Sequence, residues 1–421
     1  MATHGYHVCS VVPPYLLTAL AESEHNSEDI RKSARHCLDF SKSYITKRQR
    51  VFAELATPRG SRGVAAPRRN PGFVPENLLK HIADNDDVDE DTRASAKHDL
   101  EHIVGIQAKY QHAQGITAEQ QTLLGKAKTT YRAVYNAHND QNEAHLPGTV
   151  VRVEGQKAVS DAAANQAYDN AGNVLSFYQD IFNWKSIDNK NENVISSVHF
   201  GKNYENAFWD PEINQMVYGD GHDFLGNFTN AVDVIGHELT HAVTEHTSPL
   251  DYIGQSGALN EHVSDTFGIM VKQRVQNEKA DEADWLIGEE CLMPGVKGVA
   301  LRSMKAPGTA YNDPRFGKDP QPDNFKNYET IEEDNGGVHL YSGIPNKAFY
   351  LSSIAFGGYS WEKAGKIWWE TMRSGQIAPR CTFIQFADAT VDKAEELFGD
   401  EAAAIVRKAW NEVGVVRKSH A

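Results

Sequence analysis

The spacing of hydrophobic and polar residues changes near residue 230. Beyond this point, apolar residues recur every three to four positions, which predicts a mostly helical region. Its clearest helices are predicted at Asn346–Phe356, Trp361–Ser374 and Phe383–Glu396, with Trp368 and Trp369 in the core. From 146 to about 230, short apolar runs such as Thr149–Val153 and Ile195–Phe200 lie between Gly and Asn turns, which indicates strands. A β-rich region is therefore predicted to precede a helical one.

The remaining residues have weaker patterns. One helix, Asp161–Ile181, is predicted within the β-rich region. Residues 1–56 read as a short helical segment in which Ser27 to Ile30 offer a helix start. Residues 57–72, rich in Pro, Gly and Arg, have the composition of an exposed linker that is either a processing site or an ordinary loop. Further helices are predicted at Leu100–His112 and Ala118–Ala137.

Composition and charge narrow the classes of partner. The 421 residues are 40% hydrophobic, which is ordinary for a globular protein of two to three domains. A net charge of −15 argues against nucleic acid and anionic membrane as partners. The first residues lack the charged start and apolar stretch of a signal peptide, and no stretch approaches the roughly eighteen apolar residues of a membrane span. We therefore expect neither a nucleic-acid nor a membrane partner.

The main chemical signal is the H-E-L-T-H string at 237–241, followed after nineteen residues by Glu261. Histidines four apart share one face of a helix, so His237 and His241 can bind one zinc ion. Glu261, on a second helix, can supply the third ligand. Three protein ligands leave the fourth position open for water, as in catalytic zinc sites. Glu238 is then placed to take a proton from that water.

The pentapeptide alone is only moderately specific, because such strings also arise by chance. The surrounding residues strengthen the assignment. Asp265 lies four residues after Glu261, on the same helical face, where it can accept a hydrogen bond from a ligating histidine. A chance match would not be expected to carry both.

Five motifs extend this site. They are Asn206–Trp209, His237–Thr244, Gly257–Glu261, Leu301–Met304 and Asp334–His339. They occur in the order found in thermolysin-like metallopeptidases, which the chain resembles over about 146–421. The resemblance implies an α+β fold with the zinc site in a cleft. One wall is a β-rich N-terminal subdomain, 146–245, that includes the zinc-binding helix. The other is a helical C-terminal subdomain, 246–421.

The N-terminal part also resembles this family. Pro13-Pro14-Tyr15 is similar to the short propeptide of the protealysin-like branch, which implies that residues 1–56 are a propeptide that inhibits the enzyme. These three residues are expected beside the active site rather than inside it. Residues 57–145 resemble neither part and are left as a helical insert or linker of unknown role.

The resemblance also implies catalytic roles. Glu238 is the general base and later the proton donor to the leaving amine. Tyr252 and His339 are the donors that stabilise the oxyanion, and Asp334 is hydrogen-bonded to His339. Considered alone, a histidine after two glycines is more often a turn residue. Two further residues are expected to orient the zinc ligands, Asp265 for His237 and the Asn260 carbonyl for His241.

Substrate binding is likewise implied by the resemblance. Arg302 can donate a fork of hydrogen bonds to a substrate carbonyl, and Asn206 with the backbone of Ala207 would hold an extended substrate as an added strand. A pocket for the residue after the scissile bond favours a bulky apolar side chain. Its expected lining, for which plain core packing is the alternative, is Leu225, Phe228, Val234 and Leu301.

Calcium is where the sequence departs from the family. Asp233, Asp284 and Glu289 match positions of a two-calcium site, but Lys272 and Leu286 stand where the family has glutamates. A lysine ammonium can neutralise the remaining acids, whereas calcium needs several oxygen ligands. We expect at most one calcium ion here.

Some alternatives stay open. The cysteines, 9, 37, 291 and 381, show no C-x-x-C pairing and are expected to be isolated apolar residues, although Cys9 can be imagined as a thiolate that masks zinc. The family resemblance favours a secreted protein, with a cytoplasmic one as the alternative. A selective protein-cleaving effector that uses 57–145 for recognition, or an inactive binding homologue, would also fit the sequence.

Overall fold

The computed structural model describes residues 11–40, 130–210 and 213–417. The chain divides into two compact units, Met1–Arg50 with Lys128–Ala421, and Val51–Ala127. All described residues belong to the first unit. The linker 57–72, the helix Leu100–His112 and Cys9 lie outside the described residues.

A five-stranded sheet forms the β-rich region. In the sheet the strand order is β2-β1-β3-β5-β4, with β3 parallel to β1 and β5, while β2 and β4 are antiparallel edge strands. These strands are β1 (Arg132–Asn136), β2 (Thr149–Val153), β3 (Val194–Val198), β4 (Ala207–Asp210) and β5 (Gln215–Tyr218). Two small two-stranded sheets follow, β6 (Leu286–Ile287) with β7 (Arg302–Ser303) and β8 (Asn312–Asp313) with β9 (Gly317–Lys318).

The prediction of a helix at Ala118–Ala137 is wrong for its last residues, because Arg132–Asn136 is strand β1. Val134 and Tyr135 are 1% exposed, and β1 pairs with β2 on one side and β3 on the other. Pairing with strands distant in sequence therefore outweighs the local helical pattern. The sheet begins before residue 146, where the sequence analysis placed the start of the N-terminal subdomain.

Helices make up most of the rest. The predicted helices after residue 140 are present, with ends shifted by a few residues. In chain order the helices are α1 (Pro14–Glu22), α2 (28–40), α3 (Ala162–Phe182), α4 (Val232–Thr247), α5 (Gly254–Gln276), α6 (Glu333–Tyr341), α7 (Gly343–Phe356), α8 (Ala364–Arg373), α9 (Phe383–Phe398) and α10 (Asp400–Glu412). Short 3-10 turns occur at Glu143–His145, Glu289–Cys291 and Phe325–Asn327. Within the described ranges, no helix is both long enough and apolar enough to cross a membrane.

Two glycines let α4 and α5 approach each other closely. A Cβ atom on Gly268 would lie 2.5 Å from the carbonyl oxygen of Asp233 and 3.0 Å from the backbone nitrogen of His237. A Cβ atom on Gly236 would lie 2.9 Å from the Cα of Gly268. Any larger residue would push the helices apart. The glycines thus set the distance between the two helices that carry the predicted zinc ligands.

Residues 11–40 pack against the rest of their unit. Helix α1 begins at Pro14, where the missing N–H costs nothing, and buries Leu16, Leu17 and Leu20. The Asn26 amide donates to the carbonyl of Arg315 at 2.9 Å, and the Ser33 hydroxyl donates to the carbonyl of Asn203 at 3.1 Å. The buried apolar surface and these bonds hold the segment on the sheet and on the loop between β8 and β9.

Candidate active site

The three predicted zinc ligands meet in one place. His237 and His241 are on α4 and Glu261 is on α5, and all three are buried. The Nε2 atoms of the two histidines are 3.1 Å apart, and the Glu261 oxygens lie 3.5 Å from His237 Nε2 and 3.6 Å from His241 Nε2. Bonds of about 2.0–2.1 Å to a tetrahedral zinc ion place ligand atoms about 3.3–3.4 Å apart. The spacing of these atoms therefore fits zinc.

The outer nitrogen of each histidine has a hydrogen-bond partner. His237 Nδ1 lies 2.8 Å from Asp265 Oδ1, and His241 Nδ1 lies 2.7 Å from the side-chain oxygen of Asn260. Both partners are acceptors, so each Nδ1 carries the proton and each Nε2 presents its lone pair to the metal position. The contacts expected for Asp265 and Asn260 are present.

Asp265 is the centre of a larger buried network. Its carboxylate accepts hydrogen bonds from Arg302 Nε at 2.9 Å and Nη2 at 2.7 Å, and from the Asn346 amide at 2.9 Å. Burial alone would raise the pKa of Asp265, but Arg302 and His237 together lower it well below its ordinary value. Asp265 therefore stays ionised. Arg302 thus directs Nε and Nη2 at Asp265. Its expected role in binding a substrate carbonyl stays a prediction.

The sequence analysis did not predict the hydrogen bonds that link Asn346 to His262 and Trp368. The Trp368 indole donates to His262 Nε2 at 2.7 Å, and His262 Nδ1 lies 2.8 Å from the Asn346 side-chain oxygen. Because the indole can only donate, His262 accepts at Nε2 and donates at Nδ1. Burial lowers the pKa of His262 to about 4, which keeps it neutral. Trp368 is a core residue as predicted, but it also ends a chain of hydrogen bonds that reaches His237.

Glu238 has one occupied and one open carboxylate oxygen. Its Oε2 accepts from the backbone N–H of Trp209 at 3.0 Å, while Oε1 is buried and has no hydrogen-bond partner within the described ranges. Burial and the negative charge of Glu261 raise the pKa of Glu238 well above its ordinary value. A carboxylate with a raised pKa and one open oxygen suits proton transfer with a bound water.

Tyr252 and His339 both contact Glu261. The Tyr252 hydroxyl donates to Glu261 and lies 3.2 Å from His339 Nε2. His339 Nδ1 is 2.6 Å from Asp334. Burial lowers the pKa of His339, but Asp334 and Glu261 outweigh it and raise the pKa to about 9. The imidazole is therefore charged at neutral pH and can stabilise an anion.

A left-handed turn positions Asp334 and His339. The four residues from Asp334 to Gly337 all have positive φ, at 52, 52, 84 and 77°. This conformation costs a residue with a side chain about 1–2 kcal/mol, which the two glycines avoid. The turn brings the Asp334 carboxylate back onto the backbone N–H of His339 at 2.9 Å. Gln321, which sequence reasoning missed, donates to the His339 carbonyl at 2.7 Å.

The residues predicted to bind substrate hold the chain's own N-terminal segment. The Val11 N–H donates to the Ala207 carbonyl at 3.1 Å, and Arg302 Nη1 donates to the Val11 carbonyl at 3.0 Å. The Val12 N–H donates to the Asn206 side chain at 2.9 Å, which returns a 3.4 Å bond to the Val12 carbonyl. Val11 and Val12, which precede Pro13, thus occupy these donors and acceptors.

The four residues expected to line the pocket are buried. They belong to the same hydrophobic cluster as Val11 and Val12, and none is more than 2% exposed. Their role as a pocket stays a prediction. The residues are Leu225, Phe228, Val234 and Leu301.

A lysine ammonium lies among the residues that match a calcium site. Lys272 Nζ is 3.1 Å from both Asp284 and Glu289 and donates to the Leu286 carbonyl at 3.2 Å. The Asp233 carboxylate accepts from the backbone N–H groups of Val234 and Gly288. Burial lowers the pKa of Lys272, but the carboxylates outweigh it and raise the pKa. The ammonium therefore stays charged.

Two family models match the part of the chain that builds this site. The "Thermolysin metallopeptidase, catalytic domain" matches residues 104–245, and the "Thermolysin metallopeptidase, alpha-helical domain" matches residues 248–415. The chain belongs to the thermolysin metallopeptidase family. It is therefore a metalloprotease with the α+β fold of that family, a sheet-containing N-terminal part followed by a helical C-terminal part, as predicted.

Thermolysin-family relatives match over most of the chain. Protease PrtS of Photorhabdus sp. (strain Az29) is 50% identical over 68% of this chain and 77% of the relative. An extracellular metalloprotease of Pectobacterium carotovorum subsp. carotovorum is 42% identical over 81% of this chain and 95% of the relative. The precursor of protealysin, a metalloproteinase from Serratia proteamaculans, superposes with a TM-score of 0.73 at 38% identity, covering 97% of this chain and 100% of that one.

A third model, the "Protealysin propeptide", matches residues 72–115 of this thermolysin-family chain. This match confirms the resemblance to protealysin-type precursors. It also gives an assignment to part of 57–145, which the sequence analysis left without a role. The boundaries predicted for the propeptide and the subdomains stay predictions.

Proposed function

We propose that this chain is a zinc endopeptidase, present here as a self-inhibited precursor. One observation carries the proposal. The lone pairs of His237, His241 and Glu261 converge at zinc spacing beside a glutamate with one open oxygen. A zinc ion held there would lower the pKa of a bound water towards about 7 and polarise the carbonyl of the scissile bond.

The chain's own residues handle the proton and the developing charge. Glu238 takes the proton of the attacking water and then passes it to the leaving amine. Tyr252 and the charged His339 donate to the oxyanion, and Asp334 keeps His339 charged and oriented. The reaction forms no covalent intermediate with the enzyme.

Substrate is held as an added strand on β4. The bonds of Val11 and Val12 to Asn206, Ala207 and Arg302 support this role, because an extended peptide needs the same backbone partners. The apolar surroundings of Val11 support a preference for a bulky apolar residue after the scissile bond. Residues 11–12 therefore inhibit the precursor by filling the place of substrate.

Two further parts of the proposal concern metal and location. The Lys272 cluster holds no calcium, since an ammonium already neutralises Asp284 and Glu289. The protein is secreted, which is supported by the relative that is named an extracellular metalloprotease.

Mass spectrometry of a mixed peptide library tests the function. The purified chain, a sample treated with chelator and a sample restored with zinc are compared with Glu238→Gln and with Glu412→Gln, a matched change at an exposed glutamate. We expect cuts before bulky apolar residues that require zinc and Glu238 but not Glu412. If zinc-loaded protein gives no cuts after the N-terminal segment has been removed, the endopeptidase proposal fails.

A further inference from the structure

The carboxylate of Asp265 is held by four hydrogen bonds from side chains. Oδ1 accepts from His237 Nδ1 and Arg302 Nη2, and Oδ2 accepts from Arg302 Nε and the Asn346 amide. A carboxylate offers about four lone-pair positions, so these donors fill it. Because Asp265 is fully buried, bulk water would not replace a donor that is lost. Any change in how the Asn346 amide is held is therefore passed to the carboxylate that orients His237.

The Asn346 amide has two ends, and only one of them suits Asp265. Its nitrogen donates to Asp265 Oδ2, while its oxygen lies 2.8 Å from His262 Nδ1. The reverse orientation would place the amide oxygen against the carboxylate, and both of these groups are acceptors. A proton on His262 Nδ1 favours the orientation that the structure shows. His262 thus anchors the end of the amide that Asp265 does not contact.

The indole of Trp368 selects where His262 carries its proton. Its Nε1 lies 2.7 Å from His262 Nε2, and an indole N–H can only donate. Nε2 therefore accepts, which a charged imidazole cannot do, and Nδ1 carries the single proton. The Thr266 hydroxyl lies 3.4 Å from Nδ1 and can either donate or accept, so it does not select a tautomer. The N–H groups along this hydrogen-bond chain consequently all point the same way, from Trp368 towards Asp265.

The members of the hydrogen-bond chain belong to three different helices. His262 is on α5, Asn346 on α7 and Trp368 on α8, and none of the three is more than 1% exposed. A buried polar group that loses its partner is destabilising, so each member depends on the next. Both ring nitrogens of His262 are occupied by these bonds, which means that His262 is not itself a metal ligand.

We propose that His262 is a positioning residue for zinc binding. By fixing the Asn346 amide it keeps Asp265 in place, and Asp265 in turn directs the Nε2 lone pair of His237 at the metal position. Trp368 acts through His262. This inference rests on the proposed function. A merely structural pair would stabilise the fold and leave the affinity for zinc unchanged, whereas a positioning pair raises that affinity.

NMR of the imidazole nitrogens in histidine-labelled protein tests the tautomer in the unaltered chain. The signals of His262 are identified as those that His262→Asn lacks. We expect a protonated Nδ1 and an unprotonated Nε2 in zinc-loaded wild type, and a mixture of tautomers in Trp368→Phe. A wild-type His262 with its proton on Nε2 overturns the inference.

Competition with a chelator measures the effect on zinc. His262→Leu should weaken zinc binding about three- to tenfold, less than the roughly 10–100-fold expected for loss of a direct partner. His262→Asn, whose amide can still donate to Asn346, should recover most of the affinity. Trp368→Phe should weaken zinc binding about twofold or more. The matched control is Trp285→Phe, which loses an equally buried indole bond, 2.8 Å to the Ala280 carbonyl, and should leave zinc affinity unchanged.

Urea unfolding of the zinc-free variants separates stability from affinity. The inference is overturned if these variants lose stability but bind zinc as tightly as wild type, if His262→Asn binds no more tightly than His262→Leu, or if Trp285→Phe weakens zinc as much as Trp368→Phe. Should His262→Leu not fold, the comparison of the two tryptophan variants decides. A wild-type chain that neither binds zinc nor cuts the peptide library contradicts the proposed function instead.

Discussion

Two acidic regions of the molecule are arranged for positive charge in different ways. At the zinc site, Asp265 and Asn260 bind the outer nitrogens of the histidines, which leaves the inner lone pairs and Glu261 around a central point. At the Lys272 cluster, the acidic side chains point directly at an ammonium. The comparison teaches that the number of acids does not identify a metal site. What identifies it is whether the hydrogen-bond partners of the side chains leave their lone pairs directed at one empty point.

His199 is the centre of a third cluster. His199 is 2.6 Å from Asp220 and 3.1 Å from Asp161. Burial lowers the pKa of His199, but the two carboxylates outweigh it and raise the pKa. The three clusters therefore offer ligands for a metal ion, surround a lysine ammonium and favour a protonated imidazole.

Loss of a zinc ligand is expected to have the largest effect. His237→Ala should abolish stoichiometric zinc binding and lower kcat/KM roughly a thousandfold or more, because several kcal/mol of transition-state stabilisation depend on the metal. Zinc content and peptide cleavage measure this. His246→Ala, an exposed histidine at the end of the same helix, serves as control. Retained cleavage in His237→Ala would contradict the assignment.

Loss of Asp265, the hydrogen-bond partner of His237, should have a smaller effect on zinc affinity. We expect Asp265→Asn to weaken zinc binding about 10–100-fold, since His237 loses its charged acceptor. It also leaves the buried Arg302 without its ion-pair partner, which should cost about 3–5 kcal/mol in the free energy of unfolding. Competition with a chelator and urea unfolding measure the two effects, with exposed Asp281→Asn as control. An unchanged zinc affinity would remove Asp265 from the site.

Replacing Lys272 by a glutamate should make the stability of the Lys272 cluster depend on calcium. We expect no change in Tm of the wild type with calcium. Lys272→Glu should be destabilised without calcium and regain about 2.7 kcal/mol at a calcium concentration of 100 Kd. Thermal unfolding with and without calcium measures this, with exposed Lys279→Glu as control. Calcium stabilisation of the wild type would show that Lys272 does not replace the ion.

The smallest effect is expected for a substitution of His199, which should change the stability of the protein only slightly. Because its folded pKa is raised, its contribution to stability is complete below the unfolded pKa of about 6.5 and is lost as pH rises through the folded value. His199→Asn keeps a residue that tolerates the φ of 58°. We expect it to lower the free energy of unfolding by up to about 1 kcal/mol at pH 6 and by less at pH 9. Urea unfolding at both pH values, beside exposed His25→Asn, measures this; an equal loss at both would exclude a charged imidazole.

The sequence predicted the three candidate zinc ligands because the spacing within each of the two helices is local. Helical geometry alone relates His237 to His241 and Glu261 to Asp265. The Asn346–His262–Trp368 chain was missed because its members lie on three helices, and only packing brings them together. For the same reason, the sequence alone could not show that Arg302 donates two hydrogen bonds to Asp265.

Pairing between distant parts of the chain also explains why the sequence did not predict strand β1 or the contact of Val11 and Val12 with β4. Strand β1 has a helical pattern nearby, and only its neighbours β2 and β3 make it a strand. Pro13 and Pro14 belong to a recognisable motif, whereas no sequence pattern marks Val11 and Val12. Their role depends on an edge strand far along the chain. A single sequence contains no local signal for such a contact.

Strand β4 ends the sheet, and the Val11–Val12 pair covers its outer edge in the precursor. A bare strand edge is a template on which other polypeptides can add and aggregate. Removal of the segment uncovers that edge at the place where substrate binds. We therefore expect concentrated precursor to remain colloidally stable under conditions in which the processed enzyme begins to associate. The pairing proposed to block substrate binding would then also protect the protein during folding and storage.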